Sequence, residues 1–230
     1  MSLPVALNER ILATLSDALG AELTEDVPLT SPMSPEPVGS LKVLRGGPID
    51  KIVSVSLVVP MIGLDSHMIF AFTPAGSAIP HFTLDAVATP DFHAMHLDLI
   101  PRADLAVHLD YLDEAFVPLT PLLETAWTID GLAPAEIKPR QRALMSPWML
   151  VCRATPEAFK ALDDTVDGYL SHWLALIDAG VRATVEADLP GRDRANRALV
   201  FDPRVDPVWE QVTRLIGAEQ AERVRGELLA

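Results

Sequence analysis

The stretch AIPHFTLDAVATPDFHAMHLDLI, residues 78–100, decides how this chain folds. It contains two apolar segments rich in β-branched and aromatic residues, 78–87 and 92–100, separated by the turn signal Thr89-Pro90-Asp91. Segments of this composition on either side of a short turn are typical of paired strands. The stretch therefore predicts two antiparallel strands.

The hairpin has a polar face. Side chains alternate between the two faces of a strand, so His81, Thr83 and Asp85 share one face and the apolar residues between them share the other. On the second strand His96 and Asp98 also share a face. One face of the sheet is therefore expected to line a pocket with polar groups.

Asp85 is the candidate acid of this face. Burial among apolar residues disfavours the charged carboxylate and raises its pKa, and a nearby imidazole can share or relay the proton. We therefore expect Asp85, with His81 or His67, to carry out acid chemistry near neutral pH. The alternative is structural, because such an aspartate is often a turn or capping residue and a single histidine is often a hydrogen-bonded core residue.

The strand pattern also covers residues 52–59 and 67–73, upstream of the hairpin. Residues 24–47 are different, because prolines and glycines interrupt them throughout. This punctuation predicts a wrapping loop, in which Ser40–Leu44 is the only candidate for a short edge strand.

Apolar residues at helical spacing predict the remaining elements. The expected helices cover residues 7–19, 105–125, 156–179, 207–216 and 218–229, and one more strand is expected over 146–153. Strands followed by helices are typical of a sheet covered by helices. The sequence predicts a single domain over residues 1–230, a three-layer α/β/α sandwich with a central, mainly antiparallel β-sheet.

Composition excludes several functional classes. The chain has 32 acidic and 18 basic residues, and its formal charge of −14 disfavours binding to nucleic acid or anionic membrane. Its longest apolar run is interrupted by Pro60 and Gly63 and is shorter than the roughly 20 residues of a spanning helix. One cysteine, Cys152, excludes a disulfide or a cysteine-held cluster within the chain. We expect a cytoplasmic protein, either monomer or homodimer.

The order of several short motifs resembles the ferredoxin-dependent bilin reductases and their red chlorophyll catabolite reductase branch. In that family a strand histidine precedes a Pro-x-Phe-Gly-x-Asp segment, and here His67 stands eighteen residues before Asp85. The other matching segments are Pro80-His81-Phe82-Thr83-Leu84-Asp85, Asp98-Leu99-Ile100-Pro101, Tyr111-Leu112 and Asp206-Pro207.

The resemblance implies a reductase of a linear tetrapyrrole. The pigment would lie between the sheet and the C-terminal helices and receive single electrons from reduced ferredoxin, with no metal and no tightly bound cofactor. Asp85 would donate protons, His67 would hold or relay one, and Asp206 would be a second acid. The expected substrate-binding residues are His81, Thr83, Arg102, Arg153 and Arg197.

The sequence also departs from the family. Ser54, Ser56 and Leu57 stand where some members have a glutamate, and Thr83 replaces the family glycine. A basic surface for acidic ferredoxin would need a cluster of cations on one face, drawn from Lys138, Arg140, Arg142, Arg192, Arg194 and Arg197.

Two other functions stay open at this point. One is a metal-dependent enzyme built from His81, Asp85, His93, His96 and Asp98, although His93 and His96 should point to opposite faces of their strand. The other is a non-catalytic protein that binds a bilin or a related tetrapyrrole.

Overall fold

One continuous antiparallel sheet organises the chain. The computed structural model describes residues 1–230. The eight strands lie in the order β1-β2-β3-β4-β5-β6-β8-β7. Their bounds are β1 Glu22–Ser31, β2 Ser34–Arg45, β3 Lys51–Val59, β4 Leu64–Phe72, β5 His81–Ala88, β6 His93–Ile100, β7 Leu132–Pro134 and β8 Leu150–Ala154.

Nine helices cover the two faces of the sheet. Their bounds are α1 Leu3–Leu19, α2 Leu109–Ala115, α3 Thr120–Ala126, α4 Pro139–Arg142, α5 Pro156–Ala161, α6 Asp163–Ala179, α7 Leu189–Val200, α8 Val208–Ile216 and α9 Ala218–Leu229. No helix of the fold is both long and apolar enough to cross a membrane.

Two separate apolar cores confirm the predicted three-layer α/β/α sandwich. The first core contains 33 buried residues and joins one face of the sheet to α1, α2, α3, α5 and α6. The second contains 19 buried residues and joins the opposite face to α7, α8 and α9. Both cores follow from the alternation of side chains along the strands. Phe82 and Leu84 lie in the first core, whereas His81, Thr83 and Asp85 point to the opposite face of the sheet, on the side of the second core.

The prediction of a loop over residues 24–47 was wrong. Most of this segment forms the long β1–β2 hairpin, which continues the sheet to its edge. Pro28 is tolerated because β1 is an edge strand, and Pro35 and Pro37 lie where the pairing is irregular. Gly39 allows close approach to the next strand, because a Cβ there would lie 1.8 Å from the carbonyl oxygen of Ser56.

Two predicted helices are divided. Residues 105–125 contain α2, a 3-10 turn over Val117–Leu119 and α3, since Pro118 and Pro121 cannot donate the backbone hydrogen bonds of a continuous helix. The segment 156–179 contains α5 and α6, which meet at Leu162. Helix α7 was not predicted, because its four charged residues and few large apolar ones leave little apolar periodicity to recognise.

Candidate active site

A cavity of about 190 Å³ lies between the sheet and the C-terminal helices. Strands β3 to β6 form its floor, and α4, α7, α8, α9 and the loops between them form the roof. The lining is mainly apolar: Val55, Leu57, Ser66, Met68, Phe70, Asp85, Val87, His96, Gln141, Met145, Val200, Phe201, Asp206, Val208, Trp209, Val212 and Val224. Only Asp85, His96 and Asp206 bring titratable groups to this lining.

Asp85 and His96 are paired by the β5–β6 hairpin. The two residues lie directly opposite each other in the register, and the Nδ1 atom of His96 lies 3.3 Å from the Oδ2 atom of Asp85. The register follows from the turn, in which the Thr89 N–H donates to the Phe92 carbonyl oxygen at 3.0 Å. The Thr89 hydroxyl also accepts from the Phe92 N–H, so a rigid turn fixes the pair.

Negative charges around His96 favour its protonated form. Burial alone would lower the pKa of His96, but its hydrogen bond to Asp85 and the charges of Asp85, Asp98 and Asp206 raise the pKa overall. The Nε2 atom is buried and has no hydrogen-bond partner. The contact with Asp85 is therefore the one hydrogen bond that the His96 side chain makes.

Asp98 is a second acid on the same face of β6 as His96. It is fully buried, and it accepts hydrogen bonds from the Ser146 N–H at 2.9 Å and the Ser146 hydroxyl at 2.5 Å. Burial raises the pKa of Asp98 to about 6, although the nearby His96 and the Ser146 donors oppose the shift. The Ser146 contacts also hold the preceding residue, Met145, in the roof of the cavity.

Asp206 reaches the cavity from the loop that leads into α8. Its Oδ1 atom accepts a hydrogen bond from the Val208 N–H at 3.0 Å, an interaction typical of a helix start. Burial raises the pKa of Asp206, and the charge of Asp85 adds to the shift. The predicted acids Asp85 and Asp206 thus face the same cavity.

The predicted proximity of His67 to Asp85 is wrong. Met68, and not His67, lies opposite Asp85 in the β4–β5 register, so the His67 side chain points to the other face of the sheet. There its Nε2 atom lies 2.7 Å from the Oδ1 atom of Asp65. A difference of one residue in register changes the face to which a strand residue points.

His81 shares the face of Asp85 but does not line the cavity. Its Nδ1 atom accepts from the Thr73 N–H at 3.0 Å, so Nε2 carries the proton and donates to the Asp193 carboxylate at 2.7 Å. Burial lowers the pKa of His81 to about 4, and the charge of Arg102 adds to this effect. His81 is therefore a neutral, buried residue whose hydrogen bond to Asp193 joins β5 to α7.

Arg102 and Arg197, which were predicted to bind substrate, complete this buried network and do not line the cavity. Both guanidinium groups contact Asp193, at 3.4 Å and 3.0 Å, and both are buried. Burial alone would raise the pKa of Asp193, but the hydrogen bond from His81 and the two arginine charges hold it at about 2. The network joins β5, the segment after β6 and α7.

Arg153 and Thr83 lie at different positions on the site face, which is the face of the sheet that carries Asp85 and His96. Arg153 is exposed on β8 outside the cavity, with its guanidinium 4.5 Å from the ring centre of Phe92. Thr83 is fully buried opposite Asp98, and its hydroxyl has no partner. Of these two predicted substrate-binding residues, only Arg153 is open to solvent.

At the position of the family glutamate, only Leu57 lines the cavity, whereas Ser54 and Ser56 point to the opposite face. The cavity therefore has no third carboxylate on β3.

The alternative of a metal centre lacks a set of ligands that point to one place. His93 packs on the opposite face against Phe159, and no three His, Cys, Asp or Glu side chains are placed to hold a metal ion.

His96 is the cavity residue whose pairing with Asp85 the sequence analysis did not predict. The signal was available in the hairpin. Two strands joined by a tight turn at Pro90-Asp91 pair residues equidistant from the turn, and this pairing opposes position 85 to position 96.

Comparison with known proteins identifies a relative by sequence and a solved structure of similar fold. No protein-family model matches the sequence. The chain is 34% identical over 126 residues to red chlorophyll catabolite reductase 1, chloroplastic, of Oryza sativa subsp. japonica. This alignment covers 46% of the chain and 37% of the rice protein, so it spans little more than a third of that relative.

The fold is that of a solved structure, phytochromobilin synthase from tomato in complex with biliverdin. The TM-score is 0.75 at 19% sequence identity, and the superposition covers 96% of this chain and 80% of the tomato chain. The resemblance indicated by the motifs is thereby confirmed in fold and in a partial sequence match. The rice relative is chloroplastic by name, and a cytoplasmic location of this chain stays a prediction.

Proposed function

We propose that this protein reduces a linear tetrapyrrole with electrons from reduced ferredoxin. The observation that carries the proposal is an apolar cavity between sheet and helices whose only titratable lining groups are two acids and one imidazole. Such a lining suits a flat, conjugated molecule that needs protons and little else. The fold shared with phytochromobilin synthase and the partial match to red chlorophyll catabolite reductase support the same function.

The protein's chemical task is to supply protons. Each electron added to a conjugated tetrapyrrole makes it more basic, and two electrons with two protons reduce one double bond. Asp85 is the proposed first donor, because its side chain is 32% exposed and faces the cavity. Asp206 is the proposed second donor, since its raised pKa favours the protonated carboxyl.

The acidic groups of the pigment need cations outside the apolar lining. No lysine or arginine lines the cavity, and Arg102 and Arg197 are committed to Asp193. Arg153 remains the proposed partner, because it lies on the site face and is exposed beside the ring of Phe92. An exposed arginine can hold a carboxylate through two parallel hydrogen bonds.

The cavity must widen to admit a tetrapyrrole. Its volume of about 190 Å³ is below the ~300–1,000 Å³ of typical ligand sites. Helix α8 forms one wall through Val208, Trp209 and Val212, and Val208 is 44% exposed at its start. We expect α8 to move outward when the pigment enters, and hydrogen exchange of its backbone amides would measure this movement.

The electron donor has a candidate docking surface beside the cavity. Lys138, Arg140 and Arg142 are exposed on and next to α4, and none forms an ion pair within 4.0 Å. In a chain with a net charge of −14, this cluster is the local positive surface that suits an acidic donor protein. Arg197 does not contribute to it, because the side chain is buried.

Absorbance titration under anaerobic conditions tests the proposed function. We expect biliverdin or a red chlorophyll catabolite to bind with a shifted absorption band, and reduced ferredoxin to convert the bound pigment to a species with shorter conjugation. Both pigments are used because the relatives point to different substrates. Binding without reduction would identify a pigment-binding protein instead, and absence of binding to either pigment would contradict the proposal.

Asp85→Asn tests the role of the first acid. The variant should bind pigment normally and accept an electron, then accumulate an unprotonated radical, with turnover reduced by about 10²–10⁴-fold. Asp65→Asn is the matched control, because Asp65 also pairs with a histidine but points to the opposite face. Full turnover by Asp85→Asn would exclude Asp85 as the proton donor.

A further inference from the structure

His96 is the only basic side chain in the lining of the cavity. Asp85 and Asp206 line the same cavity, and Asp98 lies two residues further along β6 on the same face as His96. Lys138 is close enough to Asp206 to act on it electrostatically, but it is exposed on the outside of the roof. Three carboxyl groups thus act electrostatically on one imidazole, and Asp85 is the one in contact with it.

This arrangement favours a proton on the imidazole. With all three carboxyl groups ionised and His96 neutral, the cluster would place three negative charges next to apolar residues, which is strongly unfavourable. A proton on His96 neutralises part of this charge and reaches the Asp85 oxygen through the Nδ1 contact of 3.3 Å. Asp98 does not line the cavity, and Ser146 donates a hydrogen bond to each of its oxygens, so it does not reach a bound molecule directly.

Exposure divides the pair into an inner and an outer member. The His96 side chain is 14% exposed, whereas the Asp85 side chain is 32% exposed. Both residues line the cavity, but Asp85 is the more accessible of the two to a bound molecule. A proton placed on His96 is shielded from solvent but one hydrogen bond away from the reacting carboxyl group.

We propose that His96 is the proton store of this site, holding the proton that Asp85 passes to the reduced pigment. This inference rests on the proposed function. In the step, the Nδ1–H bond of the imidazolium breaks as an O–H bond forms on the Asp85 carboxylate. The Asp85 O–H bond then breaks as a C–H bond forms on the pigment radical anion, whose electron came from reduced ferredoxin. His96 ends neutral, Asp85 ends ionised, and solvent restores the proton after product release.

A purely structural role for His96 makes a different prediction. If His96 only orients Asp85, an asparagine should replace it, because its side-chain amide nitrogen occupies the position of Nδ1 and donates the same hydrogen bond. Asparagine has no titratable proton near neutral pH, so it cannot replace a proton store. His96→Asn therefore distinguishes a residue that only orients Asp85 from one that holds a proton.

Single-turnover kinetics with the bound pigment give the first readout. We expect His96→Asn still to bind biliverdin and to accept the first electron. Decay of the radical by protonation should slow by about 100-fold or more, and the pH dependence of that decay should be lost. His93→Asn is the matched control, because His93 lies on the same strand but on the opposite face.

Nitrogen NMR of the pigment-free protein gives the second readout. We expect the imidazole of His96 to stay cationic to a higher pH than an ordinary histidine, and Asp85→Asn to lower the pH at which it titrates. A His96 that is neutral at pH 7 and insensitive to Asp85→Asn would overturn the proposal. So would a His96→Asn variant that protonates the radical as fast as the wild type. An inactive wild type contradicts the proposed function instead, and the NMR result does not depend on the pigment.

Discussion

Two histidine–aspartate pairs lie on the same face of the sheet, and their surroundings give them opposite properties. His81 and Asp193 are 2.7 Å apart, with Arg102 and Arg197 beside them, and the pKa of His81 falls to about 4. His96 and Asp85 are 3.3 Å apart with two further carboxyl groups nearby, and there the histidine pKa rises. The sign of the neighbouring charges decides whether the histidine of such a pair is neutral or protonated.

The contrast also assigns the two pairs to different tasks. The His81 pair is 4% and 6% exposed and joins β5 to α7, so it has no access to a bound molecule. The His96 pair opens to the cavity. We therefore expect changes in the first pair to affect stability and changes in the second to affect proton transfer.

The largest effect on stability is expected from Asp193→Ala. This change leaves two buried guanidinium groups without their shared carboxylate, which should cost about 3–5 kcal/mol and lower Tm by about 10 °C. Thermal unfolding followed by circular dichroism measures the change. Glu210→Ala, which breaks the exposed pair with Arg214, is the control and should shift Tm by less than 2 °C. Equal shifts in the two variants would contradict the role given to the network.

Acid should destabilise the first pair through His81. Its pKa is about 4 in the folded protein and near 6.5 when unfolded, so the unfolded chain binds the proton more tightly. This contribution to stability is complete above pH 6.5 and is lost as the pH falls towards 4, with a total of about 3 kcal/mol. Denaturant unfolding between pH 4 and 8 measures it.

His96 should add the opposite dependence at higher pH, because its folded pKa is raised. Its contribution is complete below the unfolded pKa and is lost as the pH rises through the folded value. A His81→Gln variant should lose much of the acid-dependent slope while keeping the change on the alkaline side. Retention of the full acid slope in that variant would assign the effect to other groups.

A smaller effect is expected from Asp98→Asn. The amide keeps one acceptor for the Ser146 hydroxyl but cannot accept from the Ser146 N–H, so the variant should lose about 1–3 kcal/mol. Removal of the charge should also lower the pKa of His96. NMR titration of His96 in this variant would show whether Asp98 supports the second pair electrostatically, and an unchanged titration would exclude that role.

The smallest effect is expected from Thr83→Val. The Thr83 hydroxyl is buried without a partner, so an isosteric apolar side chain should leave stability unchanged or raise it by up to about 1 kcal/mol. The biliverdin dissociation constant should stay the same if Thr83 only supports the floor of the cavity. A clear loss of biliverdin affinity in this variant would indicate that Thr83 binds the substrate.

Local patterns predicted the sheet well and the contacts between distant residues poorly. The strands over 52–100 were predicted because β-branched residues and short turns mark them directly. The β1–β2 hairpin was missed because an edge strand tolerates prolines that argue against a strand elsewhere.

The candidate site divides in the same way. Asp85 and Asp206 were identified from short motifs, and both face the cavity. His67 was misplaced because the face of a strand residue depends on a register that sequence spacing does not contain. The pairing of Arg102 and Arg197 with Asp193 was not predicted, because Asp193 lies on a helix that no apolar pattern marked.

The cavity has a further consequence for synthesis of the chain. Its floor is complete by residue 100, but its roof extends to Val224 on α9. At about 5–20 residues per second, translation of the intervening segment takes roughly 6–25 s, during which apolar residues such as Val55 and Phe70 lack their covering helices. The surface that later lines the cavity is thus the surface on which a nascent chain would first meet a chaperone or aggregate. Variants that loosen the C-terminal helices should therefore reduce soluble yield before they reduce pigment affinity.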